Sequence, residues 1–304
     1  MNVTASAKTK TKFSKFGKEL TGMLMLLPVV LVLYIVIWRP QIMGVFWSFC
    51  DMKGYTAEGF AGLEHYINVV TDPDFVKILL NTFKFVGWSL VIGVLPPIVM
   101  AILVNEVRVG KSFFRISLYL PNILPGIVCF LMWYLIYYPD ASGLLNSILI
   151  KLGFQPWEWL NNAKWGIVLI IIQQTWKGMG GSMLLYLSAL QGVKAELYEA
   201  ATIDGASFFQ KLWHVTLPQI AGVLVLNIVM QVIGVFQILE GPMTLTGGGP
   251  NLATTPVALQ MYQYGFVSGR IGEALALGTI IFLILALLTI VYFKLNKIIE
   301  ENAE

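Results

Sequence analysis

Long apolar segments recur along this chain, and they constrain its fold more than any other feature. A helix needs about 20 mostly apolar residues to cross a bilayer core about 30 Å thick. We therefore predict an all-α integral membrane protein, with one transmembrane domain over residues 20–295 between tails at 1–19 and 296–304. Six segments have the required length: Leu20–Trp38, Phe85–Asn105, Ile116–Pro139, Trp165–Ala189, Pro218–Leu239 and Ala274–Phe293.

The composition agrees with a membrane protein. Hydrophobic residues make up 57% of the chain and charged residues 12%, whereas about a quarter of the residues in soluble domains are charged. The net charge of +3 is spread over loop ends, so we expect no nucleic-acid partner. Cys50 and Cys129 are too few for a disulfide framework or a metal site. The N-terminal lysines resemble those of a signal sequence, but no small-residue cleavage site follows, and we expect a retained first span.

Lysine and arginine counts predict the orientation, because cytoplasmic loops carry more of these residues. With the N-terminus inside, the short cytoplasmic segments carry twelve positive charges and the longer outer loops six. Both termini are therefore expected in the cytoplasm. In the first outer loop, the apolar residues of Pro73–Phe85 predict a helix lying at the membrane interface. Lys84 and Glu240, near span ends, are expected to extend to the outer interface.

One polar stretch between the fourth and fifth spans predicts two helices joined by a sharp turn. Strong helix formers fill Val193–Asp204. Gly205 suits the left-handed backbone conformation that ends a helix, because it has no Cβ to clash. Ser207 and Gln210 have the spacing of a capping box, which begins a second helix. Pro218 stands at the start of the next apolar run, where a first helical turn tolerates its missing N–H.

The residues of this stretch resemble the EAA loop of permease subunits in binding-protein-dependent ABC importers. In that family the loop forms a coupling helix that sits in a groove on a cytoplasmic ATPase subunit. The resemblance therefore implies that residues 194–217 form an ATPase-coupling loop. The residues that carry it are Glu199, Ala200, Ala201, Asp204, Gly205, Leu217 and Pro218.

A wider likeness extends from about residue 20 to residue 295 and resembles the carbohydrate-transporting, maltose and oligosaccharide branch of that family. It is carried by Asn81-Thr82, Gly110, Phe113 to Arg115, Pro121, Pro125-Gly126, Trp133, Gly143 to Asn146 and Leu245 to Pro250. The early outer loop matches only loosely. The likeness implies the type I importer permease fold, with six transmembrane helices and a cytoplasmic coupling helix.

The resemblance also implies an assembly in the bacterial cytoplasmic membrane. This chain would work with a second homologous permease, two ATPase subunits and an extracytoplasmic solute-binding protein that delivers a sugar or oligosaccharide. ATP and magnesium would bind the partner ATPase, so no cofactor or metal is expected in this chain. An ABC permease for another small solute and an ion-coupled secondary carrier are the alternative functions.

Polar residues at membrane depth are the candidates for a substrate passage, because lipid cannot satisfy their hydrogen bonds. Gln174, Trp176 and Lys177 lie in the predicted fourth span, and Asn227 and Gln231 lie four residues apart in the fifth. We predict that the four polar side chains line the passage, with Trp176 as an apolar wall. Alternatively, the amides form hydrogen bonds between helices, worth about 0.6–2 kcal/mol.

No enzymatic motif is evident in the sequence. Gly110-Lys111-Ser112 resembles the end of a phosphate-binding loop, but Asn105 stands where the first glycine is required and no strand precedes it. His65 and His214 fall on opposite sides of the membrane in the predicted topology. Acidic residues are rare in the spans, which disfavours the carboxylate relay of a proton-driven carrier. We therefore expect a transport subunit and not an enzyme.

Overall fold

The computed structural model describes residues 22–301, so the predicted tail 1–19, the predicted start of the first span at Leu20 and residues 302–304 lie outside the described part. Within this part the chain is helical apart from one hairpin and the connecting loops. The helices are α1 Gly22–Trp47, α2 Glu64–Thr71, α3 Phe75–Glu106, α4 Lys111–Ile123, α5 Gly126–Ile136, α6 Leu144–Lys151, α7 Gly166–Gln191, α8 Ala195–Ile203, α9 Phe208–Gln219, α10 Ala221–Phe236, α11 Glu240–Leu245, α12 Val257–Tyr262 and α13 Ile271–Glu301. The antiparallel hairpin consists of β1 Cys50–Lys53 and β2 Thr56–Phe60.

Among the described residues, α1, α3 and the part of α13 up to Lys294 are long and apolar enough to cross a membrane. Two bent helix pairs, α4 with α5 and α9 with α10, would each add one span. Helix α7 has sufficient length, with 26 residues, but it is not apolar enough to meet the same criterion. These five apolar units and α7 together account for the six predicted spans.

The predicted third span, Ile116–Pro139, is not one straight helix. Its two halves, α4 and α5, meet at 95°. The break lies at Leu124, whose backbone is extended (ψ 140°). Pro125 explains the break, because the ring of a proline disfavours helical geometry in the residue before it.

The fifth predicted span begins later than expected. Pro218 lies in the last turn of α9 and not at the start of the membrane helix. The chain then bends by 72° at Ile220, and α10 starts at Ala221. A five-residue π turn, Leu212–Thr216, immediately precedes this part of α9. Pro218 therefore lies inside α9, one residue before the end of this helix, and does not start α10.

The prediction of a helix lying at the membrane interface over Pro73–Phe85 is wrong, because Phe75–Phe85 forms the first part of a longer helix. Helix α3 is continuous over 32 residues from Phe75 to Glu106, which corresponds to about 48 Å. The two lysines within Phe75–Phe85 do not interrupt a helix, since each can extend its charge to water. A π turn at Ser89–Gly93 precedes Pro96 and Pro97 and accommodates them within the helix.

Helix α7 lies at the centre of the fold. Its buried side chains belong to two of the apolar cores: Ile167, Ile170 and Ile171 pack with Phe85 and Phe130, and its second half packs against α3 and α10. Because protein surrounds this helix over much of its length, it can carry polar side chains that a lipid-facing helix could not. Its lower apolarity therefore follows from its position.

Gly180 allows α4 to cross α7 closely. A Cβ at Gly180 would lie 2.7 Å from the Cα of Tyr119 and 3.0 Å from the carbonyl carbon of Leu118, and would overlap the Leu118 oxygen. These neighbours are backbone atoms, which cannot rotate away. The crossing therefore requires glycine at this position.

Asn146 organises the loop that follows α5. It is fully buried, and its Nδ2 donates hydrogen bonds to the carbonyl oxygens of Pro139 (2.8 Å) and Trp157 (3.0 Å). Its Oδ1 accepts hydrogen bonds from the Trp157 backbone N–H (2.9 Å) and from Trp159 Nε1 (2.8 Å). One side chain thus satisfies buried polar groups on both sides of α6.

A polar contact joins the loop before α3 to the segment before α13. The Tyr264 hydroxyl donates a hydrogen bond to Asp72 Oδ2 at 2.7 Å, and the Arg270 guanidinium lies 4.5 Å from the centre of the Tyr264 ring. Arg270 also forms an ion pair with Glu273. Burial, followed by the hydrogen bond to Asp72, raises the pKa of Tyr264. The neutral phenol is therefore the form that this contact favours.

Candidate functional site

A cavity of about 330 Å³ lies between α3, α7 and α10. Three of the predicted passage residues, Gln174, Asn227 and Gln231, line it together. The remaining lining consists of Gly93, Pro97, Ile171, Thr175, Gly178, Met179, Ser182, Met230, Gly234 and Val235. The lining therefore combines neutral amides, hydroxyls and apolar groups.

The π turn of α3 brings this helix close to the amide of Gln231. A Cβ at Gly93, the last residue of the turn, would overlap Gln231 Nε2 and lie 3.5 Å from Thr175 Oγ1. Glycine thus leaves room for polar groups of α7 and α10 at one level of α3. The cavity depends on this close approach.

The amide side chains of the cavity do not join helices in the manner that the alternative interpretation requires. Asn227 Nδ2 donates a hydrogen bond to Val223 O, one turn earlier in α10, at 3.0 Å. The hydrogen bonds found in the described part of the chain include none from Gln174 or Gln231 to another helix. These amides can therefore offer donors and acceptors to a solute in the cavity.

The other two predicted passage residues do not line this cavity. Trp176 packs edge-to-face on Trp133 of α5, with ring centroids 5.7 Å apart. Lys177 Nζ lies 5.8 Å from the centre of the Phe130 ring. A Cβ at Gly126 would lie 3.2 Å from the same Nζ and would overlap a carboxylate oxygen of Glu240. Both predicted residues thus face α5 and not the space beside α10.

The sequence reasoning missed several lining residues that carry weak signals. Thr175, Ser182, Met179 and Met230 line the cavity, yet none is ionisable and all are common in membrane helices. The only available signal was helical spacing, since Gly178 and Ser182 lie about one and two turns beyond Gln174. Gln173, unlike the adjacent Gln174, does not line the cavity. It is fully buried, and neither of its amide atoms has a hydrogen-bond partner.

The second candidate region is the helical turn formed by α8 and α9. Gly205 has φ +73°, the left-handed conformation predicted for it. Ser207 N donates to Gln210 Oε1 at 2.7 Å, and Gln210 N donates to Ser207 Oγ at 3.4 Å, which completes the predicted capping box. Helix α8 covers Ala195–Ile203, close to the predicted Val193–Asp204.

Side-chain hydrogen bonds hold α8 and α9 together. The Tyr198 and Thr216 hydroxyls lie 3.1 Å apart, and Lys211 Nζ donates to Thr202 Oγ1 at 2.8 Å. A cavity of about 370 Å³ separates this pair from the end of α3 at Ile102–Glu106. The two helices thus form a braced unit beside the membrane helices.

The surface of this unit is open to a partner. The predicted coupling residues Glu199, Ala200, Asp204, Gly205 and Pro218 are exposed, and Ala201 and Leu217 are half-buried. Large apolar side chains beside them are also uncovered: Ile203 is 87% exposed and Phe209 69%. Such exposed apolar residues next to a polar helix are typical of an interaction surface.

Comparison with known families then identifies the chain. The family of binding-protein-dependent transport system inner membrane components matches residues 93–303. This range contains the cavity residues of α7 and α10 as well as the whole α8–α9 unit. The chain belongs to this family.

Two sugar transport permeases align with this chain over most of its length. The arabinooligosaccharides transport system permease protein AraP of Bacillus subtilis is 33% identical over 240 residues, covering 78% of this chain and 76% of AraP. The trehalose/maltose transport system permease protein MalF of Thermococcus litoralis is 32% identical over 285 residues, covering 93% and 96%.

A solved structure has the same fold. A chain of a bacterial ABC transporter involved in the import of the acidic polysaccharide alginate superposes with a TM-score of 0.82 and 22% identity. The match covers 94% of this chain and 98% of that chain. The type I importer permease fold expected from the sequence is confirmed, and this family member is an inner-membrane transport subunit.

Proposed function

We propose that this chain is a transmembrane subunit of an ATP-driven importer and that it passes a sugar or oligosaccharide across the bacterial cytoplasmic membrane. The names of the relatives AraP and MalF, both sugar transport permeases, support this substrate class. The membership of a binding-protein-dependent family supports the mode of transport. ATP and magnesium would be bound by a partner subunit.

The observation that carries the proposal is the composition of the cavity between α3, α7 and α10. Gln174, Asn227 and Gln231 present amides, and Thr175 and Ser182 present hydroxyls, beside apolar side chains. Sugar hydroxyls both donate and accept hydrogen bonds, so neutral groups of this kind suit them. Lys177 and Trp176 act, in this proposal, on the α5 side of the passage and not in direct contact with the sugar in this cavity.

The α8–α9 unit would couple ATP hydrolysis to transport. The exposed residues Glu199, Ala200, Asp204 and Gly205 would contact an ATPase, and the braces at Tyr198 and Lys211 would transmit its movement. Ala201 would pack at the base of this contact, while Leu217 and Pro218 would join it to the bend before α10. In this arrangement both termini face the cytoplasm, and a solute-binding protein approaches from the opposite side.

The test of the passage is sugar-stimulated ATP hydrolysis and sugar uptake by the complete importer in proteoliposomes. That importer would contain a second permease, two ATPase subunits and the solute-binding protein. Gln231→Ala is expected to lower uptake about 5-fold to 150-fold, because a solute hydrogen bond lost from a desolvated site costs about 1–3 kcal/mol. Gln237→Ala, at the exposed end of α10, is the matched control and should leave uptake unchanged.

The results separate the alternative functions. Equal uptake by the Gln231 and Gln237 variants would remove this cavity from the passage. Uptake of another solute but of no sugar would indicate an importer with a different substrate. Uptake that requires an ion gradient and no ATP would indicate a secondary carrier. Glu199→Ala tests coupling separately, since it should lower stimulated ATP turnover while the amount of membrane-inserted chain stays constant.

A further inference from the structure

A third cavity, a pocket of about 470 Å³, lies at the end of α3 opposite the α8–α9 unit. Its rim carries three lysines: Lys77 and Lys84 from α3, and Lys164 from the loop before α7. Trp88, Ile167, Ala163 and Ala253 supply its apolar walls, and Asn81 completes it. The lining of the pocket therefore combines three positive charges with apolar side chains.

The three ammonium groups have no acidic partner. Within residues 22–294, ion pairs form at Lys53 with Glu58 and at Arg270 with Glu273, and neither involves this pocket. Lys84 Nζ does contact Asn81 Oδ1 at 3.5 Å. Asn81 is itself held in place, because its Nδ2 donates to Leu252 O at 2.7 Å. Three positive charges thus converge on one space without a counter-charge from the protein.

The position of the pocket relative to the predicted membrane indicates what kind of ligand fits it. Lys77 lies about 10 Å further along α3 than Lys84, and Trp88 lies about 6 Å beyond Lys84 in the other direction. Since the predicted second span begins just after Lys84, at Phe85, the lysines would stand at headgroup level and Trp88 at the level where tryptophan marks the interface. Cationic groups above an apolar wall suit an amphipathic anion.

The neighbouring surface continues the apolar wall. Trp88, Val91 and Leu95 follow Lys84 along α3, and their side chains are 41%, 59% and 60% exposed. An acyl chain could lie along these residues, whereas a free sugar or an acidic peptide would gain little from them. We propose that the pocket binds the phosphate of an anionic phospholipid, with its acyl chains against Trp88, Val91 and Leu95.

The test is native mass spectrometry of the full-length chain in mild detergent, titrated with dioleoyl phosphatidylglycerol or dioleoyl phosphatidylcholine. Each lysine near a phosphate contributes about 1 kcal/mol to the free energy of lipid binding. The double variant Lys84→Gln with Lys164→Gln should therefore bind phosphatidylglycerol about 30-fold more weakly. Phosphatidylcholine binding should stay unchanged. Lys53→Gln with Lys151→Gln removes two exposed lysines away from the pocket and is the matched control.

Each outcome decides the proposal. Equal phosphatidylglycerol affinity in the pocket and control variants would overturn it, as would an equal loss of phosphatidylcholine binding. Inorganic phosphate distinguishes the source of the anion: if it binds the pocket as tightly as phosphatidylglycerol does, the acyl chains contribute nothing, and the proposal of a lipid site is overturned. Lys84→Arg with Lys164→Arg keeps both positive charges, so retained phosphatidylglycerol binding in this variant supports recognition of the phosphate by charge.

Discussion

Replacing Gly180 by alanine tests whether close contact between α4 and α7 holds the centre of this fold together. The added Cβ would lie 2.7 Å from the Cα of Tyr119, whereas ordinary contacts begin near 3.4 Å. The two helices would therefore have to separate by at least about 0.7 Å at their crossing, because the Leu118 oxygen is nearer still. Overpacking of this kind costs about 1–3 kcal/mol, and here the obstructing atoms are backbone, so no rotamer change relieves it.

Gly178 provides a control in the same helix, because a Cβ there meets nothing within 4 Å. Both substitutions gain about 0.5–1 kcal/mol from the higher helix propensity of alanine. The difference between the variants therefore isolates the clash, and Gly180→Ala should be the less stable by about 1–3 kcal/mol.

The assay compares thermal unfolding midpoints of the two purified variants in the same detergent. The Gly180 variant should unfold several degrees below the Gly178 variant. Truncating the side chain of Leu118 should not restore its stability, because the contact is with the carbonyl group. Equal midpoints for the two variants, or rescue by Leu118→Ala, would refute the reasoning.

Three further predictions follow from single contacts. Gly205→Ala should reduce stability by about 1–2 kcal/mol, because φ +73° is strained for any residue with a Cβ; Gly222→Ala, which meets nothing within 4 Å, is the control in a midpoint measurement. Asn146→Leu should leave the Trp159 indole N–H unpaired, lower the midpoint and speed proteolysis between α6 and α7, unlike Asn161→Leu in the same loop. The raised pKa of Tyr264 means that its stabilising contribution is present below about pH 10, the ordinary pKa of tyrosine, and is lost as pH rises further; Tyr264→Phe should weaken this alkaline loss of stability, and an unchanged pH profile would contradict it.

Helix α7 shows how far sequence reasoning extends at the candidate site. The sequence located Gln174 and Lys177 at membrane depth, because hydropathy and length depend only on nearby residues. It could not say which neighbouring helix each of the two side chains meets. The rotation of α7 is fixed by distant contacts, such as the packing of Gly180 on α4 and the approach of Gly93 to Gln231. Spacing on one helix gives relative directions but not the neighbour that each direction meets.

The positions at which the helices break also depend both on local sequence and on tertiary packing. The sequence predicted no break in either span, but the structure breaks the chain at Leu124, before Pro125, and continues through Pro96 and Pro97 by a π turn. A proline inside a helix removes one backbone hydrogen bond. Whether the chain bends or widens at that point depends on what packs around it.

The amino-acid sequence by itself determined the membrane character, the approximate spans and the turn between α8 and α9, since each depends on local composition or on the conformation of one glycine and one capping box. The tertiary structure alone decided which polar side chains share a cavity and which lysines converge in the pocket at the far end of α3. Both groupings bring together residues far apart in the chain, and only packing sets their distances and orientations.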